Sequence, residues 1–217
     1  MSLFNGQDVP LAPQVRAGLA WTSVLHAGSP CKNEFGSLEL IMKTFVIFFS
    51  AITLAAGQWP LPKASAVTGA DGYVEIPNAA LTRTKASIYR VVFDATRAAE
   101  KPTDLVPALN MAGSELNALA ATNVPLANAK FAVVFDGPAV DGILDEPHYK
   151  ARLGVSNPNL KAIAEMKKSG VEFFVCGQYL AAEKIAPQSL APDVTLAADA
   201  LLVLIHYRNQ GYAMLSF

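Results

Sequence analysis

The sequence predicts an α/β protein, a three-layer α/β/α sandwich on a mainly parallel sheet of about five strands. Two observations carry that expectation. Apolar, β-branched and aromatic runs recur at 86–95, 130–135 and 171–175, and stretches with apolar residues at helical spacing lie between them. The intervening lengths suit the crossover helices that parallel strands require.

Hydrophobic residues make up 52% of the 217-residue chain and charged residues 16%, and part of that excess is local. Met42 and Lys43 precede an uncharged apolar run at 44–57, TFVIFFSAITLAAG, closed by Gln58, Pro60, Pro62 and Lys63 and followed by Ala64-Ser65-Ala66. A membrane span needs about 20 apolar residues, so the run is too short to be a stable anchor. It reads as a secretory signal peptide over 42–66, with Lys43 as its basic start and the small triplet before the cleavage point. Residues 1–41 show no sustained helical or alternating pattern and read as a non-native upstream extension, which leaves Cys31 outside the functional protein.

The mature chain is then expected to begin near Val67 and to be periplasmic or secreted, without stable membrane insertion once the signal is removed. It carries 13 basic and 15 acidic residues, a net charge of −2, on a length that suits one domain. No basic cluster or aromatic–basic stripe appears, so nucleic acid is not an expected partner. One thiol remains, Cys176, which excludes an internal disulfide framework.

Residues 67–85, rich in Gly, Ala and Thr, read as a lead-in segment with a short edge strand at 73–76. The domain proper is placed at 86–217. After the first strand, Pro102 and Pro107 bracket the entry to a helix with Leu109, Ala112, Leu116 and Leu119 on its buried face, ended by Asn123 and Pro125. Asp94 falls near the carboxyl end of the first strand, where it serves either a ligand or the turn that follows. Asp136, Gly137 and Pro138 follow the second strand and admit the same two readings.

Residues 139–156 arch to the next helix as a lid over the site. Asn157-Pro158 supplies a cap and a first helical proline, with Leu160, Ile163 and Ala164 expected inside. Beyond the third strand, Pro187 and Pro192 mark a loop, 194–196 a fourth strand, 199–209 a helix with Leu201, Leu202, Leu204 and Ile205 inside, and 212–217 the last strand. His148 and His206 read as surface or structural histidines, and no metal-ligand spacing, phosphate loop or cofactor motif appears.

Cys176 is the focus of the site. It ends the buried run VEFFV, Gly177 permits a sharp turn, and Gln178 opens a helix-like stretch. In open α/β sheets, ligands gather at the carboxyl ends of strands, and a following helix N-terminus favours thiolate over thiol. A free cysteine is equally at home as a small buried hydrophobe, so both readings stand.

The segments VVFDGPAV, NPNLKAIAEMKKSGVEFFVCGQYLAAEKI and NQGYAMLSF resemble the DsrE/DsrF-like family, and more closely its small exported or stand-alone members, over roughly 88–217. The resemblance implies an α/β/α fold, homo-oligomers such as trimers or hexamers, and a cysteine that carries persulfide sulfur between donor and acceptor proteins. By position Cys176 matches that cysteine. Many relatives have His where this chain has Asp136, so the resemblance does not carry over a role for an imidazole beside the thiol. Together with Cys176, the binding set expected is Asp94, Asp136, Gly137, Asn157, Gly177 and Gln178, with no cofactor and no metal. Sulfur carriage or thiol-redox chemistry is one function class, and a non-enzymatic ligand-binding or assembly module is the other. The accessibility of Cys176 separates them. A hydrolase, the third class, has no nucleophile–base pair to name.

Overall fold

The strongest β pattern in the chain, AKFAVVF, forms the centre of the sheet. This strand, β2 (Ala129–Phe135), is buried at every position but Lys130, as a strand covered on both faces must be. The computed structural model describes residues 59–217; the extension at 1–41 with Cys31, and the apolar run assigned to the signal peptide, lie outside the described residues. β1 (Tyr89–Ala95) and β3 (Glu172–Cys176) flank β2, and β4 (Thr195–Ala197) and β5 (Ala213–Ser216) are the edges, in the order β4-β3-β2-β1-β5. Every pairing is parallel.

β1 begins three residues later than its apolar run. Lys85 and Ala86 form a turn whose carbonyls are held from outside, Asn128 Nδ2 donating to Lys85 O at 2.9 Å and to Ser87 O at 3.1 Å. The edge strand expected at 73–76 is reduced to one antiparallel bridge between Tyr73 and Lys63, outside the main sheet.

α1 (Pro107–Ala121) starts with proline at its first position and buries Leu109, Ala112, Leu116 and Leu119 completely. Each of those leucines contributes about 1.5–3 kcal/mol relative to an exposed one. α2 (Glu146–Leu153) is capped by Asp145, which accepts from His148 N, and stops at Gly154 in the left-handed region. α3 (Asn159–Lys168) buries Asn159, Ala162, Ile163 and Met166, a face rotated from the expected Leu160, Ile163 and Ala164. The cause is polar. Asn159 Oδ1 accepts from Val106 N at 2.9 Å, one of the N–H groups that the start of α1 leaves without an intrahelical partner. α4 (Gly177–Glu183) is a two-turn helix directly after β3.

α5 (Ala200–Asn209) is capped by Asp199, whose carboxylate accepts from Leu202 N at 2.7 Å. It turns Ala200, Val203 and Tyr207 inward. Leu201, Leu202 and Ile205, expected inside, are 65%, 57% and 46% exposed, and Leu204 is half-buried. Tyr207 decides the rotation: its hydroxyl donates to Glu172 Oε2 at 2.7 Å, and its ring meets Phe174 and Tyr212 edge-on at 5.9 and 4.8 Å.

The two faces of the sheet carry separate cores. Phe93, Phe131, Val133, Phe135, Phe173 and Val175 pack with α1 and α3, and Val92, Ala132, Val134 and Cys176 pack with α5. The arrangement is a three-layer α/β/α sandwich. The arch at 139–156 is not a lid: after β2 it forms a 3-10 helix, Gly137–Ile143, whose Ala139, Val140 and Ile143 are fully buried in the larger core.

Candidate functional site at the carboxyl edge of the sheet

β3 delivers Cys176 to its carboxyl end, where it pairs with Ala197 of β4. Side chains alternate along a strand, so Cys176 lies on the α5 side, among Val92, Ala132, Val134, Ala200, Val203 and Tyr207. It is 5% exposed and is a free cysteine. Gly177 is needed for a close approach rather than for a left-handed turn, because it is not among the glycines with positive φ. A Cβ there would stand 2.6 Å from Ala197 O. Gln178 is exposed, and its Nε2 donates to Ala198 O at 3.3 Å. The thiol is therefore roofed by α5 and flanked by the end of β4.

Asp136 is the next residue after the Phe135↔Val175 pair, which sets it in register beside Cys176 on the neighbouring strand. Its Oδ1 accepts from Gly137 N at 2.8 Å, and Gly137 takes φ +55 with Thr96 O 3.2 Å from where a Cβ would stand. Asp94 shares the α5 side by parity but pairs with Val134 and Ser216, two residues short of the edge. Strand spacing puts it roughly 10 Å across the sheet from Cys176. Its Oδ2 accepts from Ser216 Oγ at 3.0 Å. Asn157 is buried and occupied by its own fold: Nδ2 donates to Gly142 O and Leu144 O at 3.1 and 2.7 Å, and Oδ1 accepts from Asn159 N at 2.9 Å. The structure thus brings Asp136, Gly137, Cys176, Gly177 and Gln178 to one edge and leaves Asp94 and Asn157 apart.

Sequence reasoning missed a second group at this edge. Arg152 Nε donates to Asp141 Oδ1 at 3.1 Å, yet burial raises the Asp141 carboxyl above its usual range, with Glu183 adding to the rise. Burial likewise raises the Tyr179 hydroxyl, helped by Glu183, Asp141 and Asp136 and opposed by Arg152. Asp141 and Tyr149 line a cavity of about 80 Å³ together with Val106 and Asn159. Arg152, His148 and Lys184 line an open groove of about 440 Å³. Cys176 lines neither. The signal was weak because Asp141 sits in a stretch with no regular period, and α2 alone folds Arg152 back onto it.

His148 is exposed, its Nδ1 2.6 Å from Asp145 Oδ1, and His206 is exposed beside Gln210. Among the described residues, no group of three or more His, Cys, Asp or Glu side chains is placed to hold a metal, and no helix is long and apolar enough to cross a membrane.

Solved structures similar to this chain include the following two. The protein of unknown function MTH1491 from Methanobacterium thermoautotrophicum is 19% identical with a TM-score of 0.44, and the ychN protein from E. coli is 17% identical with a TM-score of 0.43. Each alignment covers 59% of this chain and 99% of the other. No curated protein matches the chain. The sequence profile of the DsrE/DsrF-like family matches residues 90–217, from the second residue of β1 through β5 and with the Cys176 edge inside it, and on that match the chain belongs to the DsrE/DsrF-like family.

Proposed function

We propose that the protein is an exported, homo-oligomeric DsrE/DsrF-like module for assembly or ligand binding, in which Cys176 is a shielded thiol. One observation carries this reading: at 5% exposure beneath α5, the thiol lacks the open access that sulfur transfer requires. Assembly follows from α5 itself. Leu201, Leu202 and Ile205 form an exposed apolar face on a helix whose other side is already spent on the sheet, and such faces mark interaction sites. A second copy of this chain covers that face, in a trimer or hexamer. Light scattering at micromolar concentration should give an oligomer, and iodoacetamide should leave Cys176 unmodified in the native protein while labelling it in urea. A strict monomer whose thiol reacts natively at the unfolded rate would sink the reading.

Sulfur carriage through Cys176 is the second reading, favoured by the thiol's place at the carboxyl end of β3, where chemistry gathers in parallel sheets. In that reaction the Cys176 thiolate attacks the outer sulfur of a donor persulfide, forming Cys-S-SH and releasing the donor thiolate. An acceptor thiolate then takes the sulfur and returns Cys176 to the thiolate. The transfer requires α5 or α4 to move aside, and it uses donor and acceptor proteins but no cofactor. Incubation with a persulfide donor should add one sulfur atom to the wild type by intact mass and none to Cys176→Ser. Addition to neither, or to both, rules it out.

A further inference from the structure

The small triplet Ala64-Ser65-Ala66 satisfies the pattern for signal cleavage, but the residues around it are built into the domain. Val67 is fully buried in the larger core, and Ala70 is buried beside it. Asn117 of α1, also fully buried, commits its whole side chain to this segment: Oδ1 accepts from Ala66 N at 2.9 Å and Val67 N at 2.8 Å, and Nδ2 donates to Val67 O at 3.0 Å and Asp71 O at 3.1 Å. α1 also reserves a glycine for it, because a Cβ at Gly113 would stand 2.5 Å from Ala70 Cβ and 3.1 Å from Val67 Cγ1. Further upstream, Lys63 and Tyr73 exchange both main-chain hydrogen bonds, at 2.9 and 2.8 Å.

Cleavage after Ala66 would leave the new α-ammonium of Val67 against Asn117 Oδ1, with its side chain still in the larger core. The partner waiting there is a neutral amide oxygen already shared with Ala66 N, so the cut trades a satisfied pair of main-chain bonds for a charged terminus at the edge of the core. It would also remove the Ala66 N–H from Asn117 and Lys63 from Tyr73. A different small-residue run, Ala55-Ala56-Gly57, directly ends the apolar stretch, at the distance from the basic start that a signal peptide's hydrophobic region normally spans.

We propose that processing falls between Gly57 and Lys63, directly after Ala55-Ala56-Gly57, so that the segment Lys63–Val67 stays in the mature protein as a structural strap on α1 and α3. This inference rests on the export reading and moves its cleavage point from the neighbourhood of Val67. The strap continues past Val67, with Thr68 N donating to Glu165 Oε2 of α3 at 2.8 Å. Arg83 Nε donates to Glu115 Oε1 of α1 at 2.8 Å, and its guanidinium lies over the Tyr73 ring at 4.8 Å.

The test is to express the chain from Met42, the start that the export reading assigns, in a bacterial host with a general secretory pathway and to read the N-terminus of the exported product by sequencing and intact mass. A start at Gln58, or at any residue up to Lys63, supports the proposal. A start at any residue after Lys63, Val67 included, overturns it and leaves export standing. An uncut protein confined to the cytoplasm overturns export and the proposal together. Two variants sharpen the result: Ala55→Asp should block processing, whereas Ala64→Asp, at an exposed position, should leave it unchanged. The reverse pattern assigns cleavage to the triplet.

Discussion

At Gly177, space matters more than flexibility. With Ala197 O only 2.6 Å from where a Cβ would sit, Gly177→Ala forces β4 away from the start of α4. Overpacking of this kind costs about 1–3 kcal/mol. Urea denaturation should show the variant's midpoint reduced with an unchanged slope, and an unaltered midpoint would mean that the β4 edge yields freely. Asn159 makes the complementary point. Its Oδ1 is the partner of Val106 N and its Nδ2 donates to Asn157 Oδ1 at 3.0 Å, both inside the core. Truncation to alanine leaves a buried N–H unmet, a loss of about 1–3 kcal/mol, measurable in the same experiment.

Among the elements, α5 carries the clearest titration. Burial, and then the hydrogen bond to Glu172, hold the Tyr207 hydroxyl well above the ordinary tyrosine range. An unfolded tyrosine ionises near about pH 10, so above that pH the unfolded chain loses a proton that the folded one keeps. Stability is then fully present below about pH 10 and falls as pH rises toward the folded value. Tyr149 and Tyr179 are raised as well, with burial the leading cause in each, and they act in the same direction. Tyr207→Phe should therefore make the alkaline decline of the urea midpoint shallower without abolishing it, while lowering stability at neutral pH through the lost bond to Glu172. A decline as steep as in the wild type would show that Tyr207 does not hold its proton in the fold.

For the molecule as a whole, the outer face of α5 is the test of assembly. Leu202 and Ile205 are exposed and absent from both cores, so Leu202→Asp combined with Ile205→Asp spares the internal packing. The expected outcome is a smaller particle by light scattering with far-ultraviolet circular dichroism unchanged. An oligomer of undiminished size would move the interface elsewhere on the surface. The same variant bears on Cys176, because α5 is its roof: if the thiol becomes reactive only when the oligomer is broken, assembly contributes to its shielding.

What the sequence determined by itself was whatever repeats at short range. The runs at 130–135 and 171–175, the apolar spacing of Leu109, Ala112, Leu116 and Leu119, and Cys176 at the end of its strand were legible because strand and helix periods write themselves into adjacent residues. What only the tertiary structure decided was rotation, neighbourhood and cover. A helix apolar nearly all round, such as α5, does not say which stripe turns inward; Tyr207 reaching Glu172, 35 residues away, does. A lead-in rich in small residues does not announce that it belongs to the core, since its partners Asn117 and Glu165 lie 50 and 97 residues downstream. The thiol's burial was equally unreadable, because the residues that roof it come from an element it never adjoins in sequence. Its accessibility is a property of packing, and packing joins residues across distances that local patterns do not record.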